Sequence, residues 1–483
     1  MERRSFLSLM AAMAGTPLVA RCARLATAPT PPTIYRSEAG RLEIDLTASL
    51  NQVSLDGRSA TLMTYNQQIP GPQLEVRSGD RLQIRFTNAL DQPTNLHYHG
   101  LHLPPTGLAD DPFRTVAPGE TALYDFQIPD QHPSGFFWYH PHVHGLVASQ
   151  VFHGLAGTIL VRGEDEAPEL QSAQEAVLVL QDFDLDRRGQ VQEPTPVFRM
   201  WGRQGNLITV NGQSQPRFSL PQGGLLRLRI LNASASRVYQ LQLADHPWWL
   251  AATDGRSLAA PVAQESVILA PGERADLLVP GNRNSGSYAL LSLPYDRGIA
   301  AMAKSMMGHG AMMESGTDGA EEPQTIATLD YGGEASDAGS PAVVNLPATL
   351  STVEPLPEPS IVREFVFDHG IDPETRDPFL INGRAFGHHR VDTQVQVGTV
   401  EDWVLVNKAG MDHPFHLHTN WFQVISRNGQ PEPLRAWRDT VNLRAYETVR
   451  IRIPFRDFAG KTVYHCHILD HEDQGMMGIV EMV

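Results

Sequence analysis

Near its end the chain reads "TVYHCHILDHEDQGMMGIV", Thr462 to Val480, with His465, Cys466, His467 and His471 inside seven positions and Met476 and Met477 just beyond. Three other runs are equally dense in histidine: "HYHG" from His97, "HPHVHG" from His140 and "HPFHLH" from His413. Imidazole, thiolate and thioether side chains are metal ligands. Side chains alternate faces along a strand, so both imidazoles of an H-x-H pair point the same way. His97/His99, His140/His142, His416/His418 and His465/His467 therefore present eight imidazoles as four same-facing pairs. By the same alternation Cys466 points away from its two histidine neighbours and must serve a second site. His413, His471 and a downstream methionine can complete that site. Two imidazoles, one thiolate and a weak thioether are the ligand set of an electron-transfer copper; zinc is the rival, but the methionine and the lone thiolate favour copper. The peptide around Cys466 would then join two metal sites through covalent bonds.

The elements that must position these residues are strands. Short β-rich runs such as "LQIRFTN", "LRLRILN" and "VREFVFD" alternate with Gly, Pro and Asn turns, and long amphipathic helical patterns are nearly absent. The composition points to an all-β protein built of sandwiches or barrels. One theme also recurs three times: "YNQQIPGPQLEVRSGDRLQIRFTN" from Tyr65, "VNGQSQPRFSLPQGGLLRLRILN" from Val210 and "INGRAFGHHRVDTQVQVGTVEDWVLVN" from Ile381. Histidine pairs follow the first and third copies at matching places. The middle copy has "ASASRVYQLQL" and "SYALLSLPYD" there instead. Packing of repeat-related domains face to face would bring the four pairs together. The expected division is an export signal over residues 1–28, β-domains over 29–165, 166–305 and 360–483, and a Met-, Gly- and Pro-rich linker over 306–359.

The 483 residues carry a formal charge of −16, which argues against a nucleic-acid or anionic-membrane partner. The start, "MERRSFLSLMAAMAGTPLVARCARLATAP", reads as a twin-arginine export signal with a small-residue cleavage site ending at Ala28. Gly15, Thr16 and Pro17 interrupt an apolar run already short for spanning a bilayer. Removal of the signal takes Cys22 with it and leaves Cys466 as the one cysteine of a two-cysteine chain, in an oxidising compartment and without a disulfide partner.

With these motifs the chain resembles the multicopper oxidases, of the three-domain bacterial periplasmic type, nearest to the cuprous or copper-resistance oxidases and laccase-like. The resemblance implies three cupredoxin-like Greek-key β-sandwiches and four coppers per chain. It implies that His413, Cys466, His471 and Met476 bind a type 1 copper, with His97 and His416 on a type 2 copper. His99, His140 and His467 would hold one type 3 copper, and His142, His418 and His465 the other. It further implies that Asp110 (with Asp111 as competitor) and Glu472 feed protons to the cluster, and that Asp439 in "AWRDTV" lies near the type 1 copper. Reduction of O2 to water takes four electrons and four protons; the partners implied are O2 and a small reductant, Cu(I) or a phenol. A periplasmic or exported monomer, delivered by the twin-arginine machinery and free of the membrane after processing, is expected. His102, His144, His153, His388 and His389 fall outside the ligand pattern and are expected in loops or beside ligands. Met302, Met306, Met307, Met312 and Met313 around His309 form a soft cluster suited to Cu(I). The alternatives are a general laccase-like phenol oxidase and a copper-carrying resistance protein with little turnover. A cell-envelope relative that has lost copper would lack the ligand residues found here.

Overall fold

A computed structural model describes residues 32–163, 166–220, 222–298, 322–331 and 345–483. The export signal, Cys22 and the Met302–Met313 cluster lie outside the described residues. The described strands form six sheets, two for each copy of the sequence theme.

In the first copy, Arg41–Leu55 shows how the sequence makes a sheet. Leu42, Ile44 and Leu46 are buried while Arg41, Glu43 and Asp45 are exposed, the period of two expected of a strand with one dry face. This strand runs parallel to Arg81–Ala89, with Arg58–Tyr65 and Thr121–Gln127 outside them in a four-stranded sheet. The facing five-stranded sheet carries the histidine-bearing strands Gly135–His140 and His97–His99 at one end. Between the sheets, Leu46, Leu74, Phe86, Tyr98 and Phe137 form part of one apolar core. The same parallel pairing recurs as Gln174–Phe183 with Leu225–Asn232 and as Ile361–His369 with Val400–Asn407. Each of those copies has its own core, around Trp248 in the middle and Trp403 in the third.

Part of the segment expected to be linker is not linker. Gln324–Tyr331 is a strand of the middle copy, paired with Arg217–Ser219 and Gly286–Leu293, and its Ile326, Ala327 and Leu329 are buried in the core. "TIATLDY" carries a strand pattern that the surrounding Gly-, Ser- and Glu-rich composition masked. Residues 345–359 also pack: Leu350, Val353 and Leu356 are buried, and Arg452 donates to the Pro357 carbonyl at 3.0 Å. Among the described residues no helix is long and apolar enough to cross a membrane.

Two cross-strand registers prepare the site. His97 lies opposite His140 in the first copy, and His416 opposite His465 in the third, while Phe415 lies opposite Cys466. Each ladder thus sets its histidine pairs at one level and on one face.

Candidate metal centres

The eight imidazoles converge between the first and third copies, and all eight are buried. His142 Nε2 and His418 Nε2 lie 3.2 and 3.1 Å from His465 Nε2. His97 stacks on His418 and His99 on His416, each with ring centroids 3.7 Å apart. His467 closes the group, its ring centroid 5.0 Å from that of His99 and 5.7 Å from that of His140. Ligand nitrogens of His97, His99 and His140, and of His142, His418 and His465, fall into sets within 4.8 Å of one another.

What lies behind the rings decides which nitrogen faces inward. His97 Nδ1 meets the Asp110 carboxylate at 3.0 Å, and His140 Nδ1 meets the Pro141 carbonyl at 2.9 Å. His416 Nδ1 meets the Asp439 carbonyl at 2.8 Å, and His465 Nδ1 the Cys466 carbonyl at 3.0 Å. His99 is turned the other way, with Nε2 on the Asp439 carboxylate at 3.0 Å. A ring that donates outward from one nitrogen presents a lone pair at the other. Accordingly His97 Nε2, His99 Nδ1, His140 Nε2 and His416 Nε2 are buried with no hydrogen-bond partner. Burial first, then the neighbouring imidazoles, holds His97, His142, His418 and His467 well below the ordinary histidine range, and His140 down at about 3. Buried rings with converging nitrogens are a donor set that fits bound copper.

The second cluster lies on the other face of the same strand. Cys466 Sγ is 3.5 Å from His413 Nδ1 and 3.9 Å from His471 Nδ1, and the two nitrogens are 3.3 Å apart. Burial pushes the Cys466 thiol far up, so a cation at these ligands is what would make it a thiolate. Met476 is buried in the same core cluster as Cys466, and its carbonyl accepts from the Cys466 amide at 3.0 Å. Met477 turns the other way, into a cluster with Phe386, Val463 and Ile479. Outside the ligands, Phe379 stacks on His471 at 4.0 Å, and His471 Nε2 donates to the Met200 carbonyl at 3.1 Å. Met200 belongs to the short helix Pro196–Trp201 of the middle copy, which covers this site.

Of the three carboxylates singled out, Asp110 and Glu472 lie against imidazoles of the cavity. Asp110 is buried on His97 and accepts from the Tyr98 amide at 3.0 Å, whereas Asp111 is only half-buried and caps the turn at Phe113. Burial raises Asp110 to about 7. Glu472 is fully buried, 3.3 Å from His142 Nε2 and 3.1 Å from His465 Nδ1. Asp439 is a correction. It was expected beside the Cys466 cluster, but its carboxylate lies on His99 and 3.6 Å from His416 Nδ1, in the eight-histidine cavity. The cause is register: Thr440 pairs with His416, so Asp439, just before the strand Thr440–Leu443, sits at its cavity end. His102 and His153 bind carbonyls of Thr419 and Ser149, and His144 packs against Phe386 and His388, outside both clusters. Sequence reasoning missed Arg274 and Asp254 behind Asp439, Met200, and His369, whose ring lies 5.3 Å from that of His413. "TDG" and "PGERAD", in a copy without histidine pairs, carry no chemical signal of their own.

Three family models described as multicopper oxidase match residues 47–166, 138–316 and 357–482. The chain is 26% identical over 436 residues to "Multicopper oxidase mco" of Staphylococcus aureus, an alignment covering 88% of this chain and 85% of that protein. It is 31% identical to "Cell division protein FtsP" of Xenorhabdus nematophila, over 84% of this chain and 82% of that one. A multicopper oxidase from Campylobacter jejuni, described as a metallo-oxidase, superposes with a TM-score of 0.81 at 31% identity, covering 94% of both chains. The six sheets are thus three cupredoxin-like sandwiches, and the chain belongs to the multicopper oxidases, oxidoreductases that use copper, a reductant and O2.

Proposed function

We propose that this chain holds four coppers, takes electrons singly from Cu(I) or a phenol at the Cys466 site, and reduces O2 to water in the eight-histidine cavity. His413, Cys466, His471 and Met476 hold the type 1 copper in this reading. His97 and His416 hold the type 2 copper; His99, His140 and His467 hold one type 3 copper, and His142, His418 and His465 the other. The observation that carries it is the geometry of one tripeptide. Cys466 Sγ lies 3.5 Å from His413 while His465 and His467 on either side turn into the cavity, so the peptide on each side of Cys466 joins the two sites covalently. Bound copper supplies one-electron redox chemistry at the first site and multi-electron chemistry with O2 at the second. The chain's own residues supply the rest. Buried rings held by Asp110, Asp439 and backbone carbonyls keep the ligand geometry, the close packing excludes bulk water, and Asp110 and Glu472 stand in contact with ligand rings where protons must arrive.

Cu(I) in copper tolerance is the reductant favoured. His471 is fully buried and capped by Met200, so a bulky phenol meets the helix Pro196–Trp201 before the ligand ring. The formal charge of −16 also attracts a cation. Export through the twin-arginine pathway, from Arg3-Arg4, and a monomeric state belong to the same reading. The grouped donors His142, His418 and His465 in one cluster, and His413, Cys466 and His471 in the other, favour an oxidase over a purely structural envelope role. The test is metal analysis of fully loaded protein with O2 uptake measured on Cu(I) and on a phenol side by side. Four coppers and faster uptake with Cu(I) are expected. One or two coppers would sink the three-plus-one arrangement, and a phenol outperforming Cu(I) would make the chain a laccase.

A further inference from the structure

The middle copy carries none of the histidine pairs, yet two of its turns reach the eight-histidine cavity. Arg274, the first residue of the strand Arg274–Pro280, is fully buried. Its Nη1 and Nη2 donate to the two Asp439 carboxylate oxygens at 2.8 and 2.6 Å, Nη1 also to its own Gly272 carbonyl at 3.0 Å, and Nε to the Phe136 carbonyl at 3.4 Å. One guanidinium thus touches all three copies. Asp254, from the neighbouring turn, accepts from the backbone amides of Asp439 and Thr440 at 3.2 Å each and from the Arg274 amide at 3.1 Å. The carboxylate so held is the one that receives His99 Nε2, and the carbonyl of the same residue receives His416 Nδ1. Beside them Gly272, at φ +85°, lies so close to the cavity that a Cβ there would stand 2.9 Å from His467 Nε2.

We propose that the middle copy is the third wall of the trinuclear site, with Arg274, Asp254 and Gly272 as positioning residues. Arg274 and Asp254 fix Asp439 so that His99 keeps Nδ1, and His416 keeps Nε2, turned inward; Gly272 lets the turn lie against His467. Three of the eight rings, His99, His416 and His467, are set from a domain that supplies no ligand. A planar fork matched to both oxygens fixes the carboxylate in rotation as well as position, which a point charge does not.

This rests on reading the cavity as a trinuclear copper site, and the experiment separates the two. Wild type, Arg274→Met, Arg274→Lys and Gly272→Ala are loaded with copper, challenged with a graded chelator, and followed by copper content, the blue band and the paramagnetic resonance of the remaining copper. Arg217→Met, which removes an exposed ion pair with Asp330 in the same copy, is the control. Arg274→Met is expected to keep the blue copper while holding the other coppers about 10- to 100-fold more weakly, the usual effect of losing a group that orients a ligand. Arg274→Lys should recover part of that loss. Gly272→Ala, which displaces His467 directly, should alter the resonance of the cavity copper with the blue band unchanged, and it decides the matter if Arg274→Met does not fold. Cavity copper held as in wild type by both Arg274→Met and Gly272→Ala overturns the proposal, as does loss of the blue band in step with the rest. Wild type holding only the blue copper would instead overturn the trinuclear reading itself.

Discussion

At the scale of single residues, the chemistry turns on which way each side chain faces. Cys466 faces His413 and His471 while the histidines bonded to it face the cavity. Cys466→Ser is therefore expected to abolish the blue band and turnover while the cavity keeps its copper, checked by metal analysis and paramagnetic resonance. Loss of all copper from the folded variant would contradict the separation of the two faces. Asp110 and Glu472 are buried carboxylates on ligand rings, and neither touches the Cys466 cluster in any hydrogen bond or ion pair found. Asp110→Asn and Glu472→Gln should slow reoxidation by O2 by about a hundredfold or more, the range of general acid–base contributions. Reduction of the blue copper without O2 should stay near normal. Stopped-flow measurement of the two half-reactions distinguishes these, and equal slowing of both would remove the proton role.

At the scale of elements, the five-residue helix Leu469–Asp473 connects more than its length suggests. Four consecutive residues reach four destinations. Asp470 accepts from the backbone and guanidinium of Arg203 in the middle copy, at 2.7 to 3.2 Å. His471 belongs to the Cys466 cluster and Glu472 to the cavity. Asp473 accepts from the amides of Gly145, Val147 and Ala148, at the start of the first copy's helix Val147–Phe152, at 2.7 to 3.2 Å. The Arg203–Asp470 pair is nearly inaccessible, with side chains 4% and 2% exposed. Removing one partner of such a pair strands a buried charge at a cost of about 3–5 kcal/mol. Arg203→Ala should lower unfolding stability by about that amount, read by denaturant titration, and should broaden the blue-copper spectrum because His471 follows Asp470. Unchanged stability would mean that the helix is held by packing alone.

At the scale of the molecule, the metal cavity is an interface. Its histidines come from the first and third copies, and its outer support comes partly from the second. A ligand that binds only the folded, assembled state stabilises it by mass action. Copper removal should therefore lower the melting temperature and raise hydrogen exchange in His97–His99 and His413–Leu417 more than in the middle sheets, checked by calorimetry and exchange mass spectrometry. An unchanged melting temperature would mean that the copies dock without metal. Cu(I) oxidation should also slow as ionic strength rises, because the attraction of a −16 chain for a cation is screened within about 10 Å at 0.1 M salt.

Much of this was legible in the chain because it follows from local geometry. A period of two fixes the facing of His465, Cys466 and His467 on any strand, so two sites of different donor type could be read from one tripeptide. The repeated theme gave three β-domains, and the histidines' presence in two of them gave the pairing across an interface. Asp110 and Glu472 were legible only through the family resemblance of the motifs around them. What needed the tertiary structure were contacts between distant segments. His99 and Asp439 are 340 positions apart, and Arg274 is 165 from Asp439. Periodicity does not reach across such separations; only the docking of three rigid sandwiches decides them. Register within the third copy set Asp439 at the cavity, pairing within the middle copy drew Gln324–Tyr331 out of the supposed linker into a sheet, and docking brought a domain without histidine pairs against the cavity. Alternation along a strand chose the ligands and their faces, while packing between domains chose what holds them in place.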